Sequence, residues 1–161
     1  MLLLLRSSLD FEFPEPERSR VRLFFLALSQ RVPGRRKVTM FDPQQYVSDQ
    51  NQRPVESFDW GTLQWLCHGR LFTRAEQTLG ICHIRPGCQN PRHYHPNCEE
   101  VLYMLSGTGR HSFEDATIEL RAGMTIRIPV GVTHNLENIG SDEIVCLISF
   151  NSGHRETVWG T

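Results

Sequence analysis

Short runs of apolar and β-branched residues follow one another along the chain after Met40, and turn residues rich in Gly, Asp and Pro separate them. Runs of this length and composition are typical of β-strands. Asp42 followed by Pro43 predicts a brief helix with Asp42 as its N-cap. The pattern thus predicts an all-β protein with at most short helices, and with strands at residues 63–67, 78–84, 101–105, 109–114, 117–120, 124–128 and 143–150.

Histidine and carboxylate residues recur at short spacing in the stretch GCQNPRHYHPNCEEVLYMLSG, residues 87–107. Alternate side chains of an extended strand share a face, so we expect His93 and His95 to point the same way. Glu100 has the wrong parity for an uninterrupted strand, but the turn at Pro96 returns its carboxylate to that face.

A fourth candidate lies in the stretch GMTIRIPVGVTHNLEN, residues 123–138, where the turn at Pro129 aims His134 back toward the others. Three imidazoles and one carboxylate suit a divalent ion of manganese, iron, cobalt, nickel, zinc or copper. A six-coordinate ion held by four residues keeps two positions for water or substrate. These open positions indicate a catalytic metal site. The predicted metal ligands are His93, His95, Glu100 and His134.

Both stretches resemble the cupin superfamily, in particular its small single-domain members. The family motifs GxxxxxHxHxxxxExxxxxxG and GxxxxxPxGxxHxxxN are matched at every fixed position, over a resemblance that covers residues 58–150. It implies an antiparallel double-sheet, jelly-roll-like barrel with the metal ion inside. The matched positions are Gly87, His93, His95, Glu100, Gly107, Gly123, Pro129, Gly131, His134 and Asn138.

Two adjacent carboxylates compete for one ligand position. The resemblance selects Glu100, because six residues separate it from Gly107 as the motif requires. Glu99 is then expected to face solvent. Asn138 shares a face with His134 by parity and is expected to hold the turn.

The resemblance implies a mononuclear metal-dependent enzyme that acts on a small organic molecule, with Glu100 as a ligand and as the candidate catalytic group. An oxygenase is the favoured activity. Decarboxylase, isomerase and lyase activities are alternatives, because one fold hosts many chemistries. The alternative class is a non-catalytic module that binds a sugar or a carboxylate and has a structural metal.

Other strand residues are candidates for the walls of the pocket. Leu102 and Met104 share the face of Glu100 by period two and are expected to form an apolar wall, with Tyr103 on the other side. A buried polar group needs a partner or a ligand, so a polar residue that faces inward can carry a proton or bind a carboxylate. For each of four such residues an exposed or structural role is the alternative: His83, Arg92, His111 and Arg127.

Composition changes near Met40. Residues 1–40 carry eight basic and four acidic residues, residues 41–161 carry nine and fourteen, and the sum is a net charge of -1. So small a net charge argues against nucleic acid as an obligate partner. We interpret residues 41–161 as the barrel domain and residues 1–40 as a loosely attached extension, which an earlier start of translation would add.

Apolar runs in the extension are short. The longest, at residues 23–28, falls far below the roughly 20 residues that span a bilayer. The alternative to a loose extension is an edge strand at residues 21–28 that pairs with the barrel or with a partner subunit. Neither interpretation predicts a membrane protein.

Five cysteines without a CxxC pair predict neither a disulfide framework nor a zinc knuckle. Reduced thiols and a cytoplasmic location are the expectation. We also expect a homodimer, since a small barrel leaves sheet edges and apolar side chains to cover. The candidate interface residues are Val101, Tyr103, Leu105, Phe58, Trp60 and Trp65, for which core packing is the alternative.

Overall fold

The structure is a computed structural model and describes residues 41–160. The interpretations offered for residues 1–40 therefore lie outside the described residues. Within the described range no helix has the length and hydropathy needed to span a bilayer.

Eleven strands and two short 3-10 turns make up the described chain. The predicted helix start is a 3-10 turn at Pro43–Tyr46, where Asp42 Oδ1 accepts a hydrogen bond of 3.1 Å from the Gln44 amide; the second turn is Gln50–Gln52. The strands are β1 (Val55–Phe58), β2 (Gly61–Cys67), β3 (Thr78–Ile84), β4 (His93–Tyr94), β5 (Glu100–Ser106), β6 (Thr108–Phe113), β7 (Ala116–Arg121), β8 (Thr125–Ile128), β9 (His134–Asn138), β10 (Ile144–Phe150) and β11 (Val158–Trp159).

These strands form two antiparallel sheets. The six-stranded sheet has the order β1-β2-β3-β10-β5-β8, and the five-stranded sheet has the order β11-β4-β9-β6-β7. The predicted all-β, double-sheet fold is confirmed. The prediction had no separate strand for β1, β4, β9 or β11, which are short or polar and therefore carry little hydrophobic pattern.

The core joins the two sheets. On β5 alternate side chains are buried and the others are exposed, as a strand with one solvent face requires. β3 and β10 show the same period, and their buried residues pack in one cluster with Leu120 of β7 and Leu136 of β9. Residues that point inward from β5 and β9 therefore meet between the sheets.

The turn between β5 and β6 depends on Gly107. Its φ of +83° lies in the left-handed region that favours glycine. A Cβ at this position would lie 2.9 Å from the Cα of Ile144, at the start of β10. Gly107 thus lets the chain leave β5, which carries Glu100, and cross closely past β10.

Candidate metal centre

Four side chains from three places in the two sheets converge between them. His93 lies on β4 and His134 begins β9, and these two residues are directly paired in the antiparallel register of the two strands. His95 follows β4 by one residue, and Glu100 begins β5 in the other sheet. One ligand atom from each of the four residues lies within 4.8 Å of the others, and all four residues are buried.

The backbone fixes which nitrogen of each imidazole carries the proton. The Nδ1 atoms of His93, His95 and His134 lie 2.8, 2.7 and 2.9 Å from backbone carbonyl oxygens. A carbonyl oxygen only accepts hydrogen bonds, so each Nδ1 is the donor. In the neutral ring the Nε2 atom then bears a lone pair, and metal ligands are commonly oriented in this way.

These lone pairs face a carboxylate. The Nε2 atoms of His134 and His95 lie 3.1 and 3.3 Å from Oε2 of Glu100. Nε2 of His95 is buried and has no hydrogen-bond partner among the described residues. Neutral acceptors held this close to an anionic oxygen repel one another unless a cation lies between them. The cluster therefore fits a single metal ion.

The pKa values of the clustered residues favour the binding of a cation. Burial works to raise the pKa of Glu100, but the close contacts with His134 and His95 outweigh burial and hold this pKa well below its usual range. Burial, with the charge of His134, lowers the pKa of His93 to about 4. At neutral pH the cluster thus offers an anionic carboxylate and a neutral His93 ring, which are the protonation states that metal binding requires.

Aromatic rings pack against the imidazoles. The ring of His95 meets Phe150 edge-on with centroids 4.9 Å apart, and the ring of His93 lies 5.4 Å from that of Trp159. Such contacts hold the imidazoles in place and exclude water from their outer sides.

A cavity of about 130 Å³ lies beside the cluster, and His93, Glu100 and His134 form part of its wall. The remaining wall is mostly apolar. Its aliphatic and aromatic members come from both sheets: Phe58, Trp60, Leu63, Trp65, Ile84, Leu102, Leu136, Ile148 and Trp159.

The structure separates the two adjacent carboxylates. Glu99 points away from the cluster and forms an ion pair with the exposed Arg127. Glu100 is buried beside the three imidazoles. Asn138 is buried as well; its side-chain amide donates to the carbonyl of Ile84 and to that of Asp142, both at 2.8 Å. The role in the turn expected of Asn138 agrees with these contacts.

Of the four polar candidates for the pocket, His111 alone lines this cavity. Its ring is 1% exposed, stacks nearly parallel on that of His134 at 5.6 Å, and has a buried Nδ1 without a hydrogen-bond partner among the described residues. Burial and the charge of His134 lower its pKa to about 4. The others lie outside: His83 pairs with Glu143, and Arg92 donates to the carbonyl of Glu114.

The sequence pattern did not predict that residues after Phe150 lie at the site. Arg155, Thr157 and Trp159 line the cavity, and the carbonyl of Glu156 accepts the hydrogen bond of His95. This segment has no long apolar run, so its pattern gave little reason to place it at the site. The one available signal was a short hydrophobic pair, Val158 and Trp159, at the end of a polar stretch.

The predicted interface residues divide into two groups, and Phe58 belongs to both, because it is exposed and also lines the cavity. Val101, Tyr103 and Leu105 are exposed on β5. Trp60 and Trp65 instead pack against the core and line the cavity, which is the alternative considered for them.

All five cysteines are free thiols. Cys98, next to Glu99, is buried in the core, and burial raises the pKa of its thiol. A buried thiol with a raised pKa is a packing residue and a poor nucleophile.

Comparison with known proteins agrees with this architecture. An uncharacterized protein of Methanocaldococcus jannaschii is 28% identical over 107 residues, which cover 65% of this chain and 86% of that protein. The polyketide synthase CurC of Streptomyces cyaneus is 34% identical over 65 residues, 40% of this chain and 42% of CurC.

The oxalate decarboxylase OxdC of Bacillus subtilis is similar in sequence and in structure. It is 32% identical over 80 residues, 47% of this chain and 21% of OxdC. A solved structure of an OxdC mutant superposes with a TM-score of 0.63 at 23% identity, over 68% of this chain and 30% of that one. This chain therefore spans less than half the length of CurC and of OxdC.

The family model described as "Cupin domain" matches residues 80–150, which include all four clustered residues and strands β4 to β10. Together with the double-sheet fold, this match supports a small cupin-domain protein.

Proposed function

We propose that this protein is a mononuclear metalloenzyme that acts on a small, largely apolar organic molecule, with oxygenase as the favoured activity. One observation carries the proposal: a cluster of three imidazole nitrogens and one carboxylate forms part of the wall of an apolar cavity. A metal centre with purely structural duty needs no adjoining cavity.

His93, His95, Glu100 and His134 would hold the ion. Their mixed nitrogen and oxygen donors suit manganese, iron, cobalt, nickel, zinc or copper. When bound, such an ion polarises a substrate oxygen as a Lewis acid or, if redox-active, brings dioxygen and substrate together. The carboxylate of Glu100 is also a candidate to take a proton from the substrate, because Glu100 lines the same cavity.

The cavity wall favours an apolar substrate. Leu102, Ile148 and Trp60 exclude water and favour an apolar body. A cavity of about 130 Å³ approaches the roughly 150 Å³ of an apolar cavity known to hold benzene. His111 supplies a neutral imidazole, which can donate a hydrogen bond to a substrate oxygen or accept one from it.

Decarboxylase, isomerase and lyase activities remain alternatives within the proposal. The relative OxdC is by name an oxalate decarboxylase. Oxalate is a dianion with no apolar part, and the mostly apolar wall of this cavity suits it poorly. We therefore favour chemistry on an apolar substrate with dioxygen, which itself enters apolar space readily.

The test combines metal analysis with a substrate screen. Protein purified without chelator is analysed for bound metal and then screened for oxygen uptake with catechols, flavonols, diketones and small carboxylates. The matched control is the Glu100→Gln variant. Uptake by the wild type alone supports an oxygenase. Bound metal together with tight binding of a ligand, but without turnover of any compound or release of carbon dioxide, supports a non-catalytic binding module instead.

We also propose a homodimer formed through the exposed face of β5. Val101, Tyr103 and Leu105 lie in a row on this face, and a row of exposed apolar side chains is a common interface. Light scattering at micromolar concentration is the test, with Tyr103→Glu as the variant expected to be monomeric. A monomeric wild type contradicts the proposal.

The free state of all five cysteines favours a reducing compartment, and we propose the cytoplasm. Thiol titration of protein isolated under non-reducing conditions from its own cells tests this proposal. Five free thiols per chain are expected, and a disulfide would contradict it.

A further inference from the structure

Arg155 is a cation on the wall of an otherwise apolar cavity. It lies in the segment between β10 and β11, with its guanidinium carbon 4.5 Å from the ring centroid of Trp65 and 5.0 Å from that of Phe150. Both rings hold the guanidinium by cation–π contact and restrict where it can go. Packing against these two rings therefore sets the position of this charge.

Few partners among the described residues satisfy this guanidinium. It has five N–H donors, and the one side-chain hydrogen bond described for it runs from Nη1 to Oγ1 of Thr157. Among residues 41–160 no carboxylate lies within 4.0 Å of it as an ion-pair partner. Burial lowers its pKa, but a guanidinium stays charged at any physiological pH.

Arg155 lies between the cavity and a second hollow in the structure. Glu56, Trp65 and Arg155 line both the inner cavity and a larger depression of about 520 Å³ on the other side. The depression is more polar and includes His68, Arg70 and His154. A ligand that passes from the depression into the cavity therefore meets Arg155 on its way.

Two carboxylates affect the field at this point. Glu100 belongs to the metal cluster, so a bound cation offsets its charge. Glu56 is exposed on β1, and solvent screens its charge. Neither one neutralises Arg155 by direct contact.

We propose that the substrate is a small organic monoanion, with a carboxylate that pairs with Arg155 and an apolar body of about one ring that fills the cavity toward the metal cluster. This inference rests on the proposed function, since it assumes that the substrate occupies this cavity. A guanidinium matches a carboxylate with two parallel hydrogen bonds, and this geometry selects carboxylates over neutral groups of the same shape. Arg155 would then determine which substrates bind, while the cluster performs the chemistry.

Binding of carboxylate and amide pairs tests the inference without any need for turnover. The probes are benzoate with benzamide and pentanoate with pentanamide, titrated calorimetrically into metal-loaded protein. We expect the wild type to bind at least one carboxylate about tenfold or more tightly than its amide. Arg155→Gln should reduce this ratio to about one, and Arg155→Lys should keep part of it, because lysine keeps the charge but not the paired geometry.

Three controls make each outcome informative. Arg110→Gln removes an arginine that pairs with Glu137 outside the cavity, and it should keep the wild-type ratio. Circular dichroism shows whether each variant is folded. The titration is repeated after chelation, where Arg155 should still favour the carboxylate.

Two results would overturn the inference: a wild type that binds no carboxylate more tightly than its amide, or an Arg155→Gln variant that keeps the preference. Metal content is measured on the same samples. If metal content is normal and the wild type shows no preference for the carboxylate, the role of Arg155 is contradicted and the proposed metal site is not. Absence of metal from the wild type, in contrast, removes the proposed function.

Discussion

Nε2 of His134 lies 3.1 Å from Oε2 of Glu100, and this contact joins β9 of the five-stranded sheet to β5 of the six-stranded sheet. Nδ1 of His134 is already committed to the carbonyl of Val132 at 2.9 Å. The short contact to Glu100 is therefore stable only if His134 is protonated or if a metal ion lies between the two residues. A bound ion would link the two sheets and stabilise the fold as well as the site.

Separate substitution of the two adjacent carboxylates tests which of them is the metal ligand. Glu100→Gln keeps the shape of the side chain but removes the anionic ligand, so we expect metal occupancy to fall at least tenfold at limiting metal, as order of magnitude. Glu99→Gln breaks an ion pair with the exposed Arg127 and should cost less than about 1 kcal/mol of stability with normal metal content. Elemental analysis of both variants is the measurement. The reverse ranking would place the metal at Glu99.

The two sheets could be predicted from the sequence because their long strands carry strong patterns. β3 has the predicted bounds, and the buried and exposed alternation on β5 follows from a period of two. Motif spacing brought His93, His95, Glu100 and His134 together as candidates, and the structure places them in one cluster.

The cavity wall could not be predicted in the same way. Whether His111 or His83 faces inward depends on how β6 and β3 pair with their neighbours, and no local pattern encodes that pairing. Arg155 reaches the cavity from an irregular segment, where side-chain direction is set by contacts with Trp65 and Phe150 that are distant in sequence.

His111 offers a test of the cavity that is separate from the metal. We expect His111→Phe to fold, to keep its metal, and to lose about 100-fold in kcat, since its imidazole is available to a substrate and no described residue occupies Nδ1. His83→Phe, which changes a half-buried histidine on β3 that does not line the cavity, is the matched control. Turnover is measured on the substrate that the screen identifies. Unchanged kcat in His111→Phe would make His111 a packing residue.

The stability of the metal-free protein should depend on pH through two buried histidines. Burial, with the charge of His134, lowers the pKa of both His93 and His111 from 6.5 to about 4. Between these values the unfolded chain binds protons that the folded chain does not, so the free energy of unfolding falls as the pH is lowered from about 6.5 to about 4. Above about 6.5 neither residue contributes a pH dependence.

Urea unfolding of chelated protein at pH 7 and pH 5 measures this effect. The expected loss is roughly 2 kcal/mol for each histidine. His111→Phe should lose about half as much as the wild type over the same interval. An equal loss in both proteins would show that His111 is not the source.

Two glycines with positive φ separate the effect of backbone strain from that of crowding. Gly87 and Gly107 have φ values of +70° and +83°, but a Cβ would meet nothing within 4 Å at Gly87 and the Cα of Ile144 at 2.9 Å at Gly107. Gly87→Ala should cost about 1–2 kcal/mol for its conformation alone. Gly107→Ala should cost at least about 1 kcal/mol more, because β10 must also shift. Urea unfolding is the measurement, and equal costs would contradict the close approach.

Metal content is the direct test of the predicted metal site. Protein purified without chelator is analysed for its elements alongside His95→Ala and His134→Ala, with His83→Ala as a control on a histidine outside the cluster. We expect about one transition metal ion per chain in the wild type and in His83→Ala, and loss of most of it, with a lower melting temperature, in the two cluster variants. Undiminished metal in His95→Ala or His134→Ala, or a wild type that binds none when metal is supplied, would contradict it.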